Sequence, residues 1–463
     1  MGLSIDEVIA KIKGSLGIIL DYAGIDGETA QVIKALVKKY TECSDRAGSD
    51  DDTRKLRKEL TKAFYLTYKK CYFKTISDED IPLPVKMFMY FGYMDEKLAG
   101  AENAVLLGRL ADVFGTDSNG HIFTFYAWLN EIYAGRRNPS ISEMSLDYEM
   151  NLRQLRQEGR ITESEERELI NNPVKRVEYE IDNFFFSASK IISGQVTVFC
   201  PIFSDHQLFK PLDKALVPYK AIYDNINSIR EVDFSCFYRE TVYTNPDMGI
   251  QKEYVQVEVY PDIILMPAAG SRGAMWQEIS GRKRTTPARF VLPFFANDDI
   301  DKAIVRMCGE FRWELCRRIQ GARWNDLSDP SITADYCDYI ETFKKNRELS
   351  AEQREKIKSD YRKYRNSTKE MFVHDYMDLI MFESKGSLRL NKVARDIMFK
   401  YCPFKKEIRT ELAKNGMYTK IVEKYEIKNK HSLHMSDLVM QKIKNSGNDI
   451  PEEIRTHRMF LES

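Results

Sequence analysis

The chain has little of what usually makes a function readable from sequence. Among its 463 residues there are only six histidines and four tryptophans, and the formal net charge is zero because 70 basic residues match 70 acidic ones. No apolar run approaches the roughly 18 residues that a membrane helix requires. The sequence therefore argues against a histidine-rich metal centre and against a membrane protein.

The eight cysteines are scattered and include no pair at CxxC spacing. This pattern is typical of reduced, buried thiols in a cytosolic protein rather than of a secreted disulfide framework. The amino-terminal residues MGLSIDEVIAKIKG have neither a basic leader nor a continuous apolar core, so no signal peptide is predicted. We expect a cytoplasmic location.

The common catalytic and cofactor motifs are missing. GxGxxG, GxxxxGK[ST], HExxH, GxSxG and a complete EF-hand loop do not occur, so no cofactor and no metal ion are predicted. His374 and Asp378 lie one helical turn apart and His431 and His434 lie three residues apart, but such pairs are more often surface or capping groups. Whether the protein is an enzyme stays open.

The composition is that of an ordered protein, with 43% hydrophobic, 12% aromatic and 30% charged residues. The length predicts two to four domains. Charge is distributed unevenly, since residues 1–267 carry a balance of −9 and residues 268–463 one of +9. This asymmetry suits an acidic or phosphate-bearing partner, self-association, or attraction between the two halves of one molecule.

Hydrophobic periodicity divides the chain into three predicted regions. Residues 1–192 form a helical region, 193–326 a mixed α+β core domain and 327–463 a C-terminal helical region. The fold class is α+β, predominantly helical, with a central mixed sheet of about four strands. The predicted strands are residues 196–203, 232–243, 254–266 and 289–295, and the second and third are joined by a hairpin turn at 245–249.

A helix is predicted over residues 298–320. Asn297 is a suitable N-cap, three aspartates occupy the first turn, and Gly321 follows the last turn. A second stripe on this helix, opposite its core face, would present an exposed Trp beside charged groups unless a neighbouring domain covers it. The residues of this stripe are Arg306, Glu310, Trp313 and Arg317.

The Gly/Arg-rich segment, residues 270–289, lies between two apolar runs that are predicted to be buried strands. Glycines allow backbone N–H groups to converge on an oxyanion, and guanidinium groups supply charge. The segment therefore predicts an anion site after a strand, where α/β proteins often bind ligands. The candidate binding residues are Gly270, Ser271, Arg272, Gly273, Arg282, Arg284 and Arg289.

Two alternatives remain for this segment. A solvated loop, with arginines that pack against the acidic half, explains the same residues. Glu278 is a weak candidate for a general base, but the surrounding basic residues favour its charged form, so it is better explained as a partner of an arginine.

Three function classes follow. The leading hypothesis is a cytosolic binding or assembly protein, able to self-associate, whose Gly/Arg-rich segment engages a phosphate-bearing or acidic partner. The first alternative is an enzyme acting on a phosphorylated or acidic substrate at that segment. The second is a nucleic-acid binder that uses the basic C-terminal half, chiefly residues 344–369 and 385–409.

Overall fold

The computed structural model describes residues 5–43, 50–93, 95–114, 120–140, 147–185, 208–270, 273–276 and 288–463. The predicted fold class is confirmed, because the described chain is α+β and predominantly helical. It divides into two compact units: unit 1 is Met1–Tyr219, Asp262–Trp276 and Arg289–Ile300, and unit 2 is Lys220–Pro261, Gln277–Ala288 and Asp301–Ser463. The three predicted domain ranges stay a prediction.

Unit 1 is built mainly from helices whose first residues follow good caps. The side chains of Asp26, Asp50, Asp147 and Thr162 each accept a backbone N–H of the first turn, as N-caps do. The helices are α1 (Ile5–Ile12), α2 (Ser15–Tyr22), α3 (Gly27–Thr41), α4 (Asp51–Thr75), α5 (Leu83–Phe91), α6 (Glu96–Phe114), α7 (Phe125–Tyr133), α8 (Tyr148–Gln157), α9 (Glu163–Asn171), α10 (Pro173–Asn183) and α11 (Leu212–Ala215).

The central sheet of unit 1 has four described strands, β1 (Ile122–Thr124), β4 (Asp262–Gly270), β5 (Ala274–Trp276) and β6 (Arg289–Ala296). Their order is β1-β4-β6-β5, with β1, β4 and β6 parallel and β5 antiparallel to β6. Every residue of β4 and β6 is buried. This burial explains why these strands read as continuous apolar runs rather than as alternating patterns.

Two features of the predicted sheet are wrong. Residues 122–124 form the strand β1 inside the region predicted to be helical, and the next helix begins at Phe125. The run 254–266, predicted as one strand, belongs to two strands. One strand ends at Glu258, the next begins at Asp262, and the two lie in different sheets. Of the other predicted strands, 289–295 corresponds to β6 and 196–203 lies outside the described residues.

Unit 2 contains an antiparallel hairpin of β2 (Tyr238–Asn245) and β3 (Ile250–Glu258). The predicted turn is confirmed: Pro246–Met248 form a 3₁₀ turn and Gly249 has a φ of 69°, a conformation that glycine adopts without strain. The predicted strand 232–243 begins later, at Tyr238. Ile250 and Val255 pack with Ile443 and Ile454 in a small hydrophobic cluster.

The rest of unit 2 is helical. Ile300–Gln320 confirms the helix predicted at 298–320, with Arg317 and Arg318 in its last turn. The helix begins two residues later than predicted, so Asn297 does not directly precede it, and of the three aspartates only Asp301 lies in its first turn. No described helix is long and apolar enough to cross a membrane. The helices are α12 (Tyr219–Val232), α13 (Ile300–Gln320), α14 (Ile332–Thr342), α15 (Ala351–Lys363), α16 (Thr368–Met381), α17 (Lys392–Tyr401), α18 (Lys406–Leu412), α19 (Gly416–Asn445) and α20 (Glu452–Glu462).

Candidate functional site

The predicted anion-binding residues are divided between the two ends of the sheet. Gly270 ends β4 at the carboxyl edge, opposite Ala296, whereas Arg289 begins β6 at the amino edge, opposite Asp262. A strand of this length spans roughly 20 Å or more. Gly270 and Arg289 therefore cannot contact the same small anion.

At the carboxyl edge, the Gly270 carbonyl accepts a hydrogen bond of 2.9 Å from the Asn297 N–H. The Asn297 side chain accepts the N–H of Phe209 at 3.1 Å. Asn297 thus links the end of β4 to Phe209 at this edge of the sheet. It also precedes α13 in the chain. Gly273 lies just before β5, close to the middle of the sheet.

The other candidates of the segment lie outside the described residues. These are Ser271, Arg272, Glu278, Arg282 and Arg284, and their roles stay predictions. The described residues on either side do locate the two ends of 277–287, because Trp276 and Arg289 are direct neighbours in the β5–β6 register. Residues 277–287 therefore begin and end at the amino edge of the sheet.

Four side chains from separate parts of unit 1 meet at this edge, and we call them the amino-edge cluster. Asp262 is fully buried, and Arg289 Nη1 donates to its Oδ2 at 3.2 Å. Arg137 Nε lies 3.3 Å from the same oxygen, and His121 Nδ1 lies 3.2 Å from Oδ1. One buried carboxylate thus holds two guanidinium groups and one imidazole.

Arg289 is held on its other sides as well. Its guanidinium carbon lies 4.6 Å from the centroid of the Trp128 ring, and its Nη2 donates to the Asn138 carbonyl at 3.3 Å. With its side chain only 2% exposed, Arg289 is part of the interior. The structure gives this residue an ion pair inside the protein rather than a position on a solvated loop.

A second buried carboxylate, that of Glu180 in α10, adjoins the cluster. The indole N–H of Trp128 donates to Glu180 Oε1 at 2.6 Å, and the backbone N–H and hydroxyl of Ser140 donate to Oε2 and Oε1 at 2.6 and 2.8 Å. Burial raises the pKa of Glu180, while these hydrogen bonds and the charge of Arg289 oppose the rise. Glu180 therefore couples the segment after α7 to α10.

The amino-edge cluster contains two partly exposed groups that can contact a ligand and two buried groups that hold them in position. The side chain of His121 is 45% exposed and that of Arg137 is 33% exposed, whereas Asp262 and Arg289 are buried. A half-exposed imidazole held through one nitrogen by a carboxylate can exchange a proton with a ligand. A half-exposed guanidinium beside it can hold an anion.

Sequence reasoning missed His121 and Arg137 of this cluster. His121 and Arg137 are 141 and 125 positions away from Asp262 along the chain, so no spacing pattern connects them. Asp262 and Arg289 each begin a buried strand, and a charged residue at the start of an apolar run was the only local signal. Parallel pairing of β4 with β6 is what brings these two residues together.

The second stripe of α13 does not present an exposed Trp. Trp313 is 3% exposed, and its ring lies 5.2 to 6.2 Å from the rings of Trp324, Tyr336 and Phe372, all within unit 2. Arg306 pairs with Glu370 at 2.5 Å. The stripe is an interface between α13 and the helices that follow it.

Some basic residues of the two C-terminal segments form ion pairs within unit 2. Arg395 is 3% exposed and pairs with buried Glu383 at 2.7 Å, and Arg409 is 2% exposed and pairs with Glu426 at 2.8 Å. Lys369 lies 2.9 Å from Glu314. These three residues are engaged by carboxylates of unit 2.

Comparison with known proteins gives one match. Residues 321–460 match a family model described as Domain of unknown function (DUF8509). The matched part lies within unit 2, begins just after α13 and ends within α20, and it covers less than a third of the chain. No curated protein and no solved structure matches this chain.

Proposed function

We propose that this protein binds a phosphate-bearing or acidic partner at the amino edge of the unit 1 sheet. One observation carries the proposal: the Trp276–Arg289 pairing fixes both ends of residues 277–288, the part of the segment that contains Arg282 and Arg284, at the edge where Arg137 and His121 are partly exposed. Guanidinium groups beside an anchored loop are suited to oxyanions because each can donate two parallel hydrogen bonds.

The roles of the arginines differ in this proposal. Arg289 and Asp262 form the buried base of the site and keep Arg137 and His121 in position. The ligand-binding charges in this proposal are those of Arg282 and Arg284 in the segment. A variant of Arg289 would therefore test the stability of the fold, whereas variants of Arg282 and Arg284 would test ligand binding.

The decisive comparison uses two double variants with equal loss of charge. Arg282→Ala with Arg284→Ala removes proposed ligand contacts, and Arg153→Ala with Arg167→Ala removes two exposed arginines on α8 and α9 of unit 1. Titration calorimetry of the full chain with inorganic pyrophosphate and with a poly-glutamate peptide measures affinity. We expect the first pair to weaken binding about tenfold or more and the second to leave it unchanged.

The proposal fails if both double variants bind these probes as the unchanged protein does, or if they weaken binding equally. Native mass spectrometry of protein purified from its source supplies the complementary reading. A retained acidic or phosphate-bearing species, lost in the Arg282/Arg284 variant only, supports the same site.

A cytoplasmic location belongs to this proposal. It is supported by the cysteines, since each of the seven in the described residues is a free thiol. Reduced thiols on this scale are usual in a reducing compartment.

A second candidate function, an enzyme at the same edge, is favoured by the His121–Asp262 pair. A carboxylate that holds one imidazole nitrogen orients the other for proton transfer. Hydrolysis of p-nitrophenyl phosphate, measured for the unchanged protein and for His121→Gln, tests this function. A real activity should fall about 10²- to 10⁴-fold in the variant. Equal rates would exclude His121 as the catalytic base.

A further inference from the structure

The longest described helix of unit 2, α19, has two opposite faces of different character. It contains 30 residues. One face is buried within the unit through Val422, Ser436 and Ile443, which are seven residues or a multiple of seven apart. A repeat of seven residues keeps side chains on one side of an α-helix. The side opposite these three residues is exposed.

Four residues form a stripe along this exposed side, and we call them the α19 stripe. Ile427 and Leu438 are 72% and 45% exposed, and His431 and His434 between them are exposed as well. The spacing of four, three and four residues is that of the seam along which two helices pair. Large apolar side chains exposed at such a spacing are typical of a surface that another helix covers.

The order of the α19 stripe, apolar–His–His–apolar, is the same in both directions along the helix. Consider two copies of α19 that pack antiparallel about a twofold axis midway between His431 and His434. Ile427 then lies opposite Leu438 of the second copy, and His431 lies opposite His434 of the second copy. Each contact occurs twice, as a twofold interface requires. The stripe is therefore complementary to itself.

The residues on one flank of the α19 stripe carry charges that match in this arrangement. Exposed Glu423 faces exposed Lys444 of the second copy. On the same flank Lys430 faces Asp437 of the second copy, so both pairs join opposite charges. Asp437 also accepts a hydrogen bond of 2.8 Å from Arg458 in its own copy, and a carboxylate can accept from both partners.

The next positions along the seam favour the antiparallel orientation. Lys424 faces the neutral amide of Gln441 of the second copy, whereas a parallel pair would bring the two copies of Lys424 together. On the other flank Lys428 lies beside Met435 of the second copy, where the apolar stem of the lysine can cover the thioether. The antiparallel pair therefore places no like charges opposite each other at these positions.

We propose that the α19 stripe is a dimer interface at which two copies of this chain pair antiparallel through α19. The contact is that of one helix pair and belongs to the class of small, reversible interfaces. It lies in unit 2 and uses no residue of the amino-edge cluster. Failure of one proposal therefore leaves the other standing.

Sedimentation equilibrium of the full chain at increasing protein concentration measures the self-association. We expect a monomer–dimer equilibrium with a dissociation constant of roughly 1–100 μM. Ile427→Lys with Leu438→Lys should weaken it about a hundredfold or more, because charges replace the apolar side chains of the seam. The matched control is Val32→Lys with Ile76→Lys, at exposed positions of unit 1, which should leave dimerisation unchanged.

Replacing the two histidines should have the opposite effect. His431→Leu with His434→Leu makes the whole α19 stripe apolar, so the dimer should form about tenfold more tightly or better. A role of these histidines within the monomer would not produce a tighter dimer. Circular dichroism at a concentration where the chain is monomeric shows whether each variant keeps its fold.

The antiparallel register is tested by exchanging two charges. Glu423→Lys alone places lysines opposite each other at both ends of the contact and should weaken the dimer roughly threefold or more. Adding Lys444→Glu restores opposite charges only if residue 423 of one copy faces residue 444 of the other. The double variant should therefore dimerise as the unchanged protein does.

Three results would overturn the proposal. One is a chain that stays monomeric up to about 1 mM. Another is a dimer that Ile427→Lys with Leu438→Lys leaves unchanged, or weakens no more than the control pair does. The third is a failure of Lys444→Glu to restore the dimerisation lost in Glu423→Lys, which would exclude this register. If one variant does not fold, the others still decide.

Discussion

At Arg289 a buried positive charge pairs with the buried carboxylate of Asp262, and the same charge favours the ionised form of buried Glu180. Removing charges from water costs several kcal/mol for each ion, and mutual attraction recovers that cost only while every partner is present. The Trp128 ring against the guanidinium adds a cation–π contact. Removing one member of this buried group should therefore lower the free energy of unfolding by more than removing an exposed ion pair does.

We predict that Arg289→Met lowers the free energy of unfolding of unit 1 by about 3–5 kcal/mol, because it removes the only buried cation that pairs with Asp262 among the described residues and leaves that carboxylate with the partly exposed Arg137 and His121. Urea denaturation measured by circular dichroism gives the value. Arg136→Met, which breaks the Arg136–Glu131 pair where Arg136 is 62% exposed, should cost less than about 1 kcal/mol. Similar losses in both variants would contradict the role assigned to Arg289.

Asp375 of α16 makes the stability of unit 2 depend on pH. Burial raises its pKa to about 7, and the Tyr336 hydroxyl donates to Oδ2 at 2.6 Å. Because the folded state holds a proton that the unfolded state releases from about pH 4 upward, stability falls as pH rises towards 7. Above pH 7 the Asp375 carboxylate is charged in both the folded and the unfolded state. The free-energy cost of burying that charge then lowers stability by its full amount.

We predict that Asp375→Asn stabilises the protein by about 1–3 kcal/mol at pH 8 and has little effect at pH 4, since Asn imitates the protonated acid. Denaturation midpoints at several pH values provide the measurement. Asp449→Asn, at an exposed position, should show no such pH-dependent difference. A constant effect of Asp375→Asn across this pH range would refute the assignment.

At the level of elements, α13 and α16 approach closely at Gly309. A Cβ placed there would lie 3.0 Å from Cδ1 and 3.4 Å from Cβ of Tyr376. The Tyr376 ring cannot easily move, because its hydroxyl donates to buried Asp233 at 2.8 Å. Asp233 also lies 3.8 Å from Nε of Arg312, so this packing supports an ion pair inside unit 2.

We predict that Gly309→Ala destabilises unit 2 by about 1–3 kcal/mol through overpacking, even though Ala favours a helix by about 1 kcal/mol over Gly. Gly27→Ala, at the start of α3 with nothing within 4 Å of the added carbon, is the control and should be neutral or stabilising. Thermal denaturation distinguishes the two. If Gly309→Ala instead stabilised the protein, the Tyr376 ring would be able to move away from the added methyl group.

Helices were easier to predict than strands in this chain. The ends of α13 are marked by acidic residues at the start and arginines at the end, which are local signals. The three-residue strand β1 has none: Ile122–Thr124 is a strand because it pairs with Ile263–Leu265, far away in the sequence. The same holds for the break between Glu258 and Asp262, which separates strands of two sheets.

At the scale of the whole molecule, the chain passes between the two units more than once. Residues 262–276 and 289–300 complete the sheet of unit 1 although the residues before and after them belong to unit 2. The position where the charge balance changes sign, near Pro267, falls inside β4. The acidic and basic halves of the sequence are therefore not the two units.

We predict that Arg289→Met and Gly309→Ala act on different cooperative units. Hydrogen exchange followed by mass spectrometry should show faster exchange in β4 and β6 for the first variant and in α13 and α16 for the second. Their effects on stability should add within about 0.5 kcal/mol in the double variant. Faster exchange throughout the protein in either single variant would show one cooperative unit instead.

By itself the sequence determined the fold class, the helix α13, the hairpin turn and the buried character of β4 and β6, because periodicity, caps and glycine turns act over a few residues. Only the tertiary structure decided which strands share a sheet and which charges meet. Strand pairing joins residues more than a hundred positions apart, and a buried charge depends on partners that no local pattern reveals. For this reason Arg289, chosen from the sequence as a ligand contact, is found paired with Asp262 inside unit 1.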